Sequence, residues 1–360
     1  MARASDPVDI PQVDAIPGYP LPHQRDRLIG HHETEQELLQ AYRSERLHHA
    51  WILGGPKGIG KATLAFRLAR FVVANPDRFG AEVAAAQDLS VAPDHAVARQ
   101  LTGGGHPNIL HLRRPWDEKG KRFKADLPVD EVRRTVSFFG TTASAKAWRL
   151  CIVDAADDMN NSSANALLKI LEEPPARCLF LVLSHAPGRL LPTIRSRCRR
   201  LDLTPLSDAE IGEGLRDLVP DAVPGEADLR EIAAAADGSL RSAIMLLSGD
   251  GLAIARGVRR LADAADQLDL AAVHALGDLI AARGQSDNWE SFQHMAQIWL
   301  HERMRRDLGA SVGKAYAMIE IWERTNQAIR DADALNLDRK QVVLDFFFAL
   351  RAARGSSKAF

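Results

Sequence analysis

Short apolar runs alternate with helix-like segments over the first two hundred residues of the chain. The runs that predict buried strands occupy residues 49–53, 109–112, 149–154 and 178–184. After the first run, Leu64, Leu68 and Phe71 recur at the spacing of one helix face. Strands that alternate with helices predict a parallel sheet covered by helices, so we expect an α/β fold in this part.

Other segments carry helical spacing or break it. Further helices are predicted at residues 35–46, 129–139 and 161–173. Asn161 or Ser162 can cap the last of them, which should end before Pro174 and Pro175. Residues 75–105 are irregular and rich in alanine. They predict an excursion over the surface.

The pattern of apolar residues changes after residue 203, where the short runs that predict strands end. Residues 207–248 predict three short helices, and residues 252–354 are helical in pattern throughout. The predicted parts are an extended proline-rich leader at 1–22, an α/β domain at 23–203, a small helical domain at 204–250 and an all-α domain at 251–360. In the last part, the stripe of Phe292, Met295 and Trp299 predicts either core or subunit contact.

Composition narrows the class of protein. The chain has 360 residues and a formal net charge of -1, which disfavours a protein that grips nucleic acid by its overall charge. No apolar run approaches the about 20 residues of a membrane span, and the N-terminus lacks an apolar signal core. The 3 cysteines, Cys151, Cys178 and Cys198, are too sparse for a disulfide framework. We therefore expect a cytoplasmic protein without a membrane partner.

The candidate chemistry begins with a phosphate-binding loop at residues 55–62, between a predicted strand and a predicted helix. Gly55, Gly58, Gly60 and Lys61 stand in its register, so backbone N–H groups and an ammonium group can hold phosphates. The last position holds Ala62, which lacks the hydroxyl that holds Mg²⁺ in such loops. A purely structural glycine turn remains the alternative.

Two further positions follow predicted strands. Asp154 ends one strand, as a metal-directed carboxylate does, or as an ordinary surface acid would. The next residue is Ala155, where ATPases of this kind place a glutamate that orients water. Ser184 ends the following strand and is a candidate sensor of a γ-phosphate. Together these residues predict a degenerate nucleotide site that can bind ATP or ADP without hydrolysis, requires no cofactor and holds no metal.

Several basic residues are candidates for action outside this loop. Arg197, in the sequence Ser196-Arg197-Cys198, is either a surface arginine or a finger that acts on another subunit's nucleotide. Arg241 is either an ordinary helix residue or a group that reaches a nucleotide from the second domain. Residues 113–124 are basic with interleaved aromatic residues, which suits single-stranded nucleic acid but also a solvated hairpin. We favour the hairpin.

These motifs, taken in order, resemble the clamp-loader AAA+ family of bacterial DNA polymerase III, and within it the delta prime branch. The matching segments are residues 47–50, 55–62, 106–108, 129–133, 154–159, 165–175 and 191–198. The segments Asn165–Pro175 and Leu191–Cys198 are the most specific. The final helical region fits only by length and class. The resemblance implies an AAA+ P-loop domain with a RecA-like parallel sheet, followed by a helical lid domain and an all-α collar domain.

The resemblance also implies a function. A loader of this family opens a ring-shaped sliding clamp and places it on primed DNA. The delta prime branch acts as a scaffold beside gamma/tau motor subunits and delta, and it contributes the arginine that matches Arg197. Arg241 matches the sensor arginine of the second domain, and Lys61 and Asp154 match the loop lysine and the strand carboxylate. The family's zinc module would need a cysteine quartet, which residues 75–110 lack, so we predict no zinc.

Three other functions remain as alternatives. A motor subunit of the gamma/tau kind or a self-contained P-loop ATPase would need the groups that are missing at Ala62 and Ala155. A sequence-specific DNA-binding protein would need a basic recognition module. The prediction is therefore a subunit that is no enzyme by itself and reaches clamp and DNA through its complex.

Overall fold

The computed structural model describes residues 11–13, 15–44, 47–140, 147–220, 224–282, 286–308 and 312–356. The chain divides into two compact units, Met1–Leu206 and Ser207–Phe360. The finer boundary that we predicted near residue 250, between lid and collar, stays a prediction. Half of the predicted leader, residues 1–10 and 14, lies outside the described residues.

A parallel sheet forms the centre of the first unit. Its strands are β1 (Ala50–Gly54), β2 (Ile109–Leu112), β5 (Arg149–Val153), β6 (Cys178–Ser184) and β7 (Arg199–Asp202). They lie in the order β2-β5-β6-β1-β7, and every neighbouring pair is parallel. We did not predict β7, because Leu201 is the only buried residue of this edge strand. The remaining strands confirm the predicted α/β class.

Helices cover both faces of the sheet. The helices of this unit are α1 (His32–Arg43), α2 (Lys61–Ala74), α3 (Ala81–Ala85), α4 (Ala96–Thr102), α5 (Val129–Gly140), α6 (Asn161–Glu172) and α7 (Pro192–Arg195). Successive residues of a strand point to opposite faces. Trp51 and Leu53 therefore pack with α1 and α2, whereas Ile52 packs with α5 and α6. Burial on both faces explains the continuous apolar runs in the sequence.

Two local predictions were wrong. The segment 75–105 is not a surface excursion: it contains α3 and α4, and Val83, Leu89 and Leu101 are buried in the core. These core residues are widely spaced in an alanine-rich sequence, so they produce no clear helical periodicity. The cap of α6 is Asn160, whose side chain accepts a hydrogen bond from the Ser163 N–H at 3.0 Å.

The basic stretch forms the hairpin that we favoured. Its strands, β3 (Trp116–Asp117) and β4 (Arg122–Phe123), pair antiparallel. The rings of Trp116 and Phe123 lie 5.0 Å apart, edge to face. This packing fixes the two aromatic residues as a pair within the hairpin.

Every regular element in the described part of the second unit is a helix. Its helices are α8 (Asp208–Leu218), α9 (Glu226–Ala235), α10 (Leu240–Leu247), α11 (Gly251–Asp263), α12 (Leu270–Ile280), α13 (Ser286–Leu308), α14 (Val312–Leu335) and α15 (Arg339–Ser356). Phe292, Met295 and Trp299 are buried among these helices, so that stripe is core and not a subunit contact. In the described part of the chain, no helix is both long and apolar enough to cross a membrane.

Candidate functional site

The predicted phosphate loop is a tight turn at the carboxyl edge of the sheet. It leaves β1 after Gly54, and α2 begins at Lys61. Gly55, Gly58 and Gly60 have φ angles of 135°, 80° and 112°, a region that favours glycine. A Cβ atom on Gly55 would lie 2.5 Å from the carbonyl oxygen of Leu203. The first N–H groups of α2 are directed to this turn, where a phosphate is favourable.

Lys61 is buried behind the loop, with 4% of the residue exposed. Its ammonium group donates to the carbonyl oxygens of Gly55 and Pro56, each at 2.6 Å. Burial lowers the pKa of Lys61 to about 8, although Asp154 and Asp157 favour the charged form. The side chain is thus held by the loop itself.

Asp154 stands at the end of β5, beside a histidine that the sequence analysis missed. The carboxylate lies 3.4 Å from Nε2 of His111, which belongs to the edge strand β2. Their pairing follows from the sheet order, since β2 and β5 are neighbours. A histidine inside an apolar strand was the one signal available. The following residue, Ala155, is buried and brings no carboxylate to this position.

Ser184 is tied into the turn that follows β6. Its hydroxyl donates to Oδ1 of Asp157 at 3.0 Å. The same carboxylate accepts from the N–H groups of His185 at 2.7 Å and Ala186 at 3.0 Å. Asp157 therefore fixes this turn, a role that the sequence analysis did not assign. It also joins the 3-10 turn Ala156–Asp158 to the end of β6.

Arg197 lies at the amino ends of the sheet strands, whereas the loop lies at their carboxyl ends. It precedes β7, whose first residue Arg199 pairs with Trp51 near the start of β1. The loop begins after Gly54, at the other end of the same strand. From Trp51 to Gly54 the strand rises about 10 Å. The arginine and the loop of one chain are thus separated by the length of the sheet.

The Arg197 guanidinium is half-buried and held in place. It pairs with Glu172 of α6 at 2.8 Å and donates to the carbonyl oxygen of Thr193 at 3.0 Å. Arg199 differs, because it pairs with Glu37 at 3.0 Å and lies over the ring of Trp51. The two arginines are thus close in sequence but have different ion-pair partners.

Arg241 lies in the second unit, on α10, where it pairs with Glu290 at 3.5 Å. The sensor role of Arg241 stays a prediction.

Among the predicted site residues, the structure brings together the loop glycines, Lys61, Asp154 and Ser184 in the first unit. It places Arg197 at the opposite end of the strands.

Metal-ligating groups are dispersed in the described ranges. No cluster of three or more His, Cys, Asp or Glu side chains that could hold a metal ion is present there. Cys151, Cys178 and Cys198 are free, and burial raises the pKa of Cys178 and Cys198 to about 12. The prediction of no zinc rests on the sequence.

Comparison with known proteins points to one family. The family model described as "DNA polymerase III, delta subunit" matches residues 30–207. DNA polymerase III subunit delta prime of Pseudomonas aeruginosa is 35% identical over 250 residues, which cover 68% of this chain and 66% of that protein. The delta prime subunit of Escherichia coli is 31% identical over 47% of this chain and 46% of its own length.

Two other likenesses are weaker. DNA polymerase III subunit tau of Bacillus subtilis is 28% identical over 63% of this chain and 37% of that protein. A solved structure of a gamma subunit-related protein from Thermotoga maritima covers 90% of this chain and 99% of that one, with 18% identity and a TM-score of 0.46. The chain spans about two thirds or less of the length of each of these sequence relatives.

Proposed function

Because the chain belongs to the clamp-loader family of bacterial DNA polymerase III, we propose that it is a delta prime-like subunit of that loader. In this role it is a scaffold that does not hydrolyse ATP. It supplies Arg197 to the nucleotide of a neighbouring ATPase subunit. Its partners are the gamma/tau motor subunits and delta, and it reaches the sliding clamp and primed DNA through the complex in the cytoplasm.

The position of Arg197 is the observation that carries this proposal. An arginine at the amino edge of the sheet cannot serve the loop at the carboxyl edge of the same chain. It is available to a nucleotide bound by another chain, where a guanidinium stabilises charge on the transferred phosphoryl group. In the free chain the guanidinium of Arg197 forms a salt bridge with Glu172. A neighbour's phosphates would replace that carboxylate as the anionic partner.

The chain's own loop supports a binding role without catalysis. Glycine φ angles and buried Lys61 preserve the cradle for phosphates. Ala62 and Ala155 leave no hydroxyl for Mg²⁺ and no glutamate to orient water. ATP or ADP held here would be structural, and neither zinc nor another metal is required. The same two alanines disfavour the motor-subunit and stand-alone ATPase alternatives.

The test of the proposal is Arg197→Ala in a reconstituted loader. We expect the variant to fold and to assemble, while clamp-stimulated ATP hydrolysis falls and clamp loading falls by severalfold to about a hundredfold. The loss should be partial, because the other motor sites receive fingers from other neighbours. Arg197→Lys should restore only part of the rate, because a point charge lacks the planar fork of donors. The measurement is steady-state phosphate release with clamp and primed DNA.

Arg199→Ala is the matched control, since it removes an arginine two residues away that pairs with Glu37 of its own chain. It should change the rate by less than about twofold. Equal losses from the two variants would show that only the charge of this basic surface matters. An unchanged rate in Arg197→Ala would reject the finger role.

Nucleotide binding to this chain should depend on the pH through Lys61. Its pKa of about 8 in the free loop means that the ammonium form is lost as the pH rises past that value. We expect ADP affinity to fall by up to about tenfold per pH unit above it, because a bound phosphate favours the charged form. Titration calorimetry over that range measures this. Lys61→Arg stays charged and should show a flat profile, whereas a flat profile in the unaltered protein would contradict the prediction.

A further inference from the structure

A cavity lies in the first unit, beside the edge strand β2. Its volume is about 450 Å³, within the range of small-molecule sites. Its walls include Phe66 of α2, His111 of β2 and the segment from Arg113 to Trp116. None of the described residues 55–61 lines it. This cavity is therefore separate from the phosphate loop.

The charge of the cavity is concentrated on one arginine. Three arginines line it, and two of them are neutralised: Arg114 by Asp158 at 3.0 Å and Arg134 by Glu131 at 2.6 Å. Arg113 donates instead to the neutral side chain of Gln12. Among the residues that the structure describes, no carboxylate oxygen lies within 4 Å of its guanidinium. Burial disfavours the charged form of Arg113 and lowers its pKa, although the more distant Asp154 favours that form, so a bound anion would relieve the cost.

The remaining walls are partly aromatic and carry one further acidic residue, Glu118. Burial, together with His111 and Arg113, lowers the pKa of His23 to about 4, so this ring carries no charge near neutral pH. Burial also lowers the pKa of His106. Trp116 forms part of the wall, with its ring held against Phe123. The cavity thus offers one guanidinium fork and an aromatic surface on the same short segment.

We propose that this cavity binds a nucleoside phosphate, with the phosphoryl group on Arg113 and the base against Trp116. A guanidinium fork matches two phosphoryl oxygens, and a base stacks on an aromatic ring regardless of its identity. A free mononucleotide and the phosphorylated end of a strand share this chemistry. The site is independent of the proposed function, because it contains neither Arg197 nor any residue of the loop.

The test is titration calorimetry on full-length Lys61→Ala protein, in which the phosphate loop is impaired. The probes are AMP, adenosine and a short single-stranded oligonucleotide with or without a 5′-phosphate. We expect saturable binding of AMP or of the phosphorylated oligonucleotide, with a Kd below about 1 mM, and at least about tenfold weaker binding of the same probe without phosphate. Whichever phosphorylated probe binds more tightly identifies the source of the ligand.

Arg113→Gln, made in the same background, should weaken binding by at least about tenfold. Arg122→Gln is the matched control, an exposed arginine of the same hairpin that does not line the cavity, and it should change Kd by less than about twofold. Trp116→Leu tests the second contact and should weaken AMP as well. Thermal melting verifies that each variant is folded. If no phosphorylated probe saturates, or if Arg113→Gln and Arg122→Gln bind alike, the proposal is wrong.

Discussion

The purified chain is expected to hydrolyse ATP at least about a hundredfold more slowly than an active loader motor subunit, because two catalytic groups are missing. At Ala62 no hydroxyl holds Mg²⁺ against the β- and γ-phosphates. At Ala155 a buried methyl group stands where a carboxylate would orient the attacking water. Lys61 can still hold a phosphate, so we expect binding without turnover.

The measurement is steady-state phosphate release from the chain purified alone. Lys61→Ala is the control for contamination, because it removes the lysine that the loop carbonyls hold. Residual release that survives in this variant comes from another ATPase. Turnover at the rate of a motor subunit, lost in Lys61→Ala, would show that the site is active and that the scaffold proposal is wrong.

Removal of the second unit is expected to abolish entry into the loader complex. The truncated protein Met1–Leu206 ends at the boundary between the two compact units, so it should keep its helix and sheet content. A cut near residue 250 would instead separate α10 from α11 and α13, against which it packs. We expect affinity for the other subunits to fall by at least about a hundredfold, measured by gel filtration of reconstituted mixtures.

The apolar surface of α14 gives this expectation a sharper form. Tyr316 and Ile319 are 65% and 37% exposed and lie three residues apart on one face of the helix. Full-length Ile319→Asp should weaken assembly, whereas Arg324→Gln, at an exposed position about 140° around the same helix from Ile319, should not. Normal assembly of the truncated protein would place the subunit contacts in the first unit.

Most elements of the first unit can be predicted from the sequence, for identifiable reasons. Strands such as Cys178–Ser184 are buried on both faces and are therefore continuously apolar. Strand β7 escaped prediction because an edge strand buries little. The core residues Val83 and Leu101 escaped it because short helices in alanine-rich sequence show little periodicity. The stripe at Phe292 was recognised as apolar, but its spacing could not separate core from interface.

The sequence by itself determined which chemical groups the chain has and lacks: the glycines and lysine of the loop, the alanines at 62 and 155, and the arginine at 197. Side-chain chemistry and local backbone freedom depend on neighbours in the chain, so a motif is enough to predict them. Only the tertiary structure decided which groups meet. The sheet order placed His111 beside Asp154, and the turn after β6 brought the Ser184 hydroxyl within hydrogen-bond distance of Asp157. Strand direction placed Arg197 at the edge opposite the loop, because residues far apart in sequence are positioned by pairing and packing that no local pattern records.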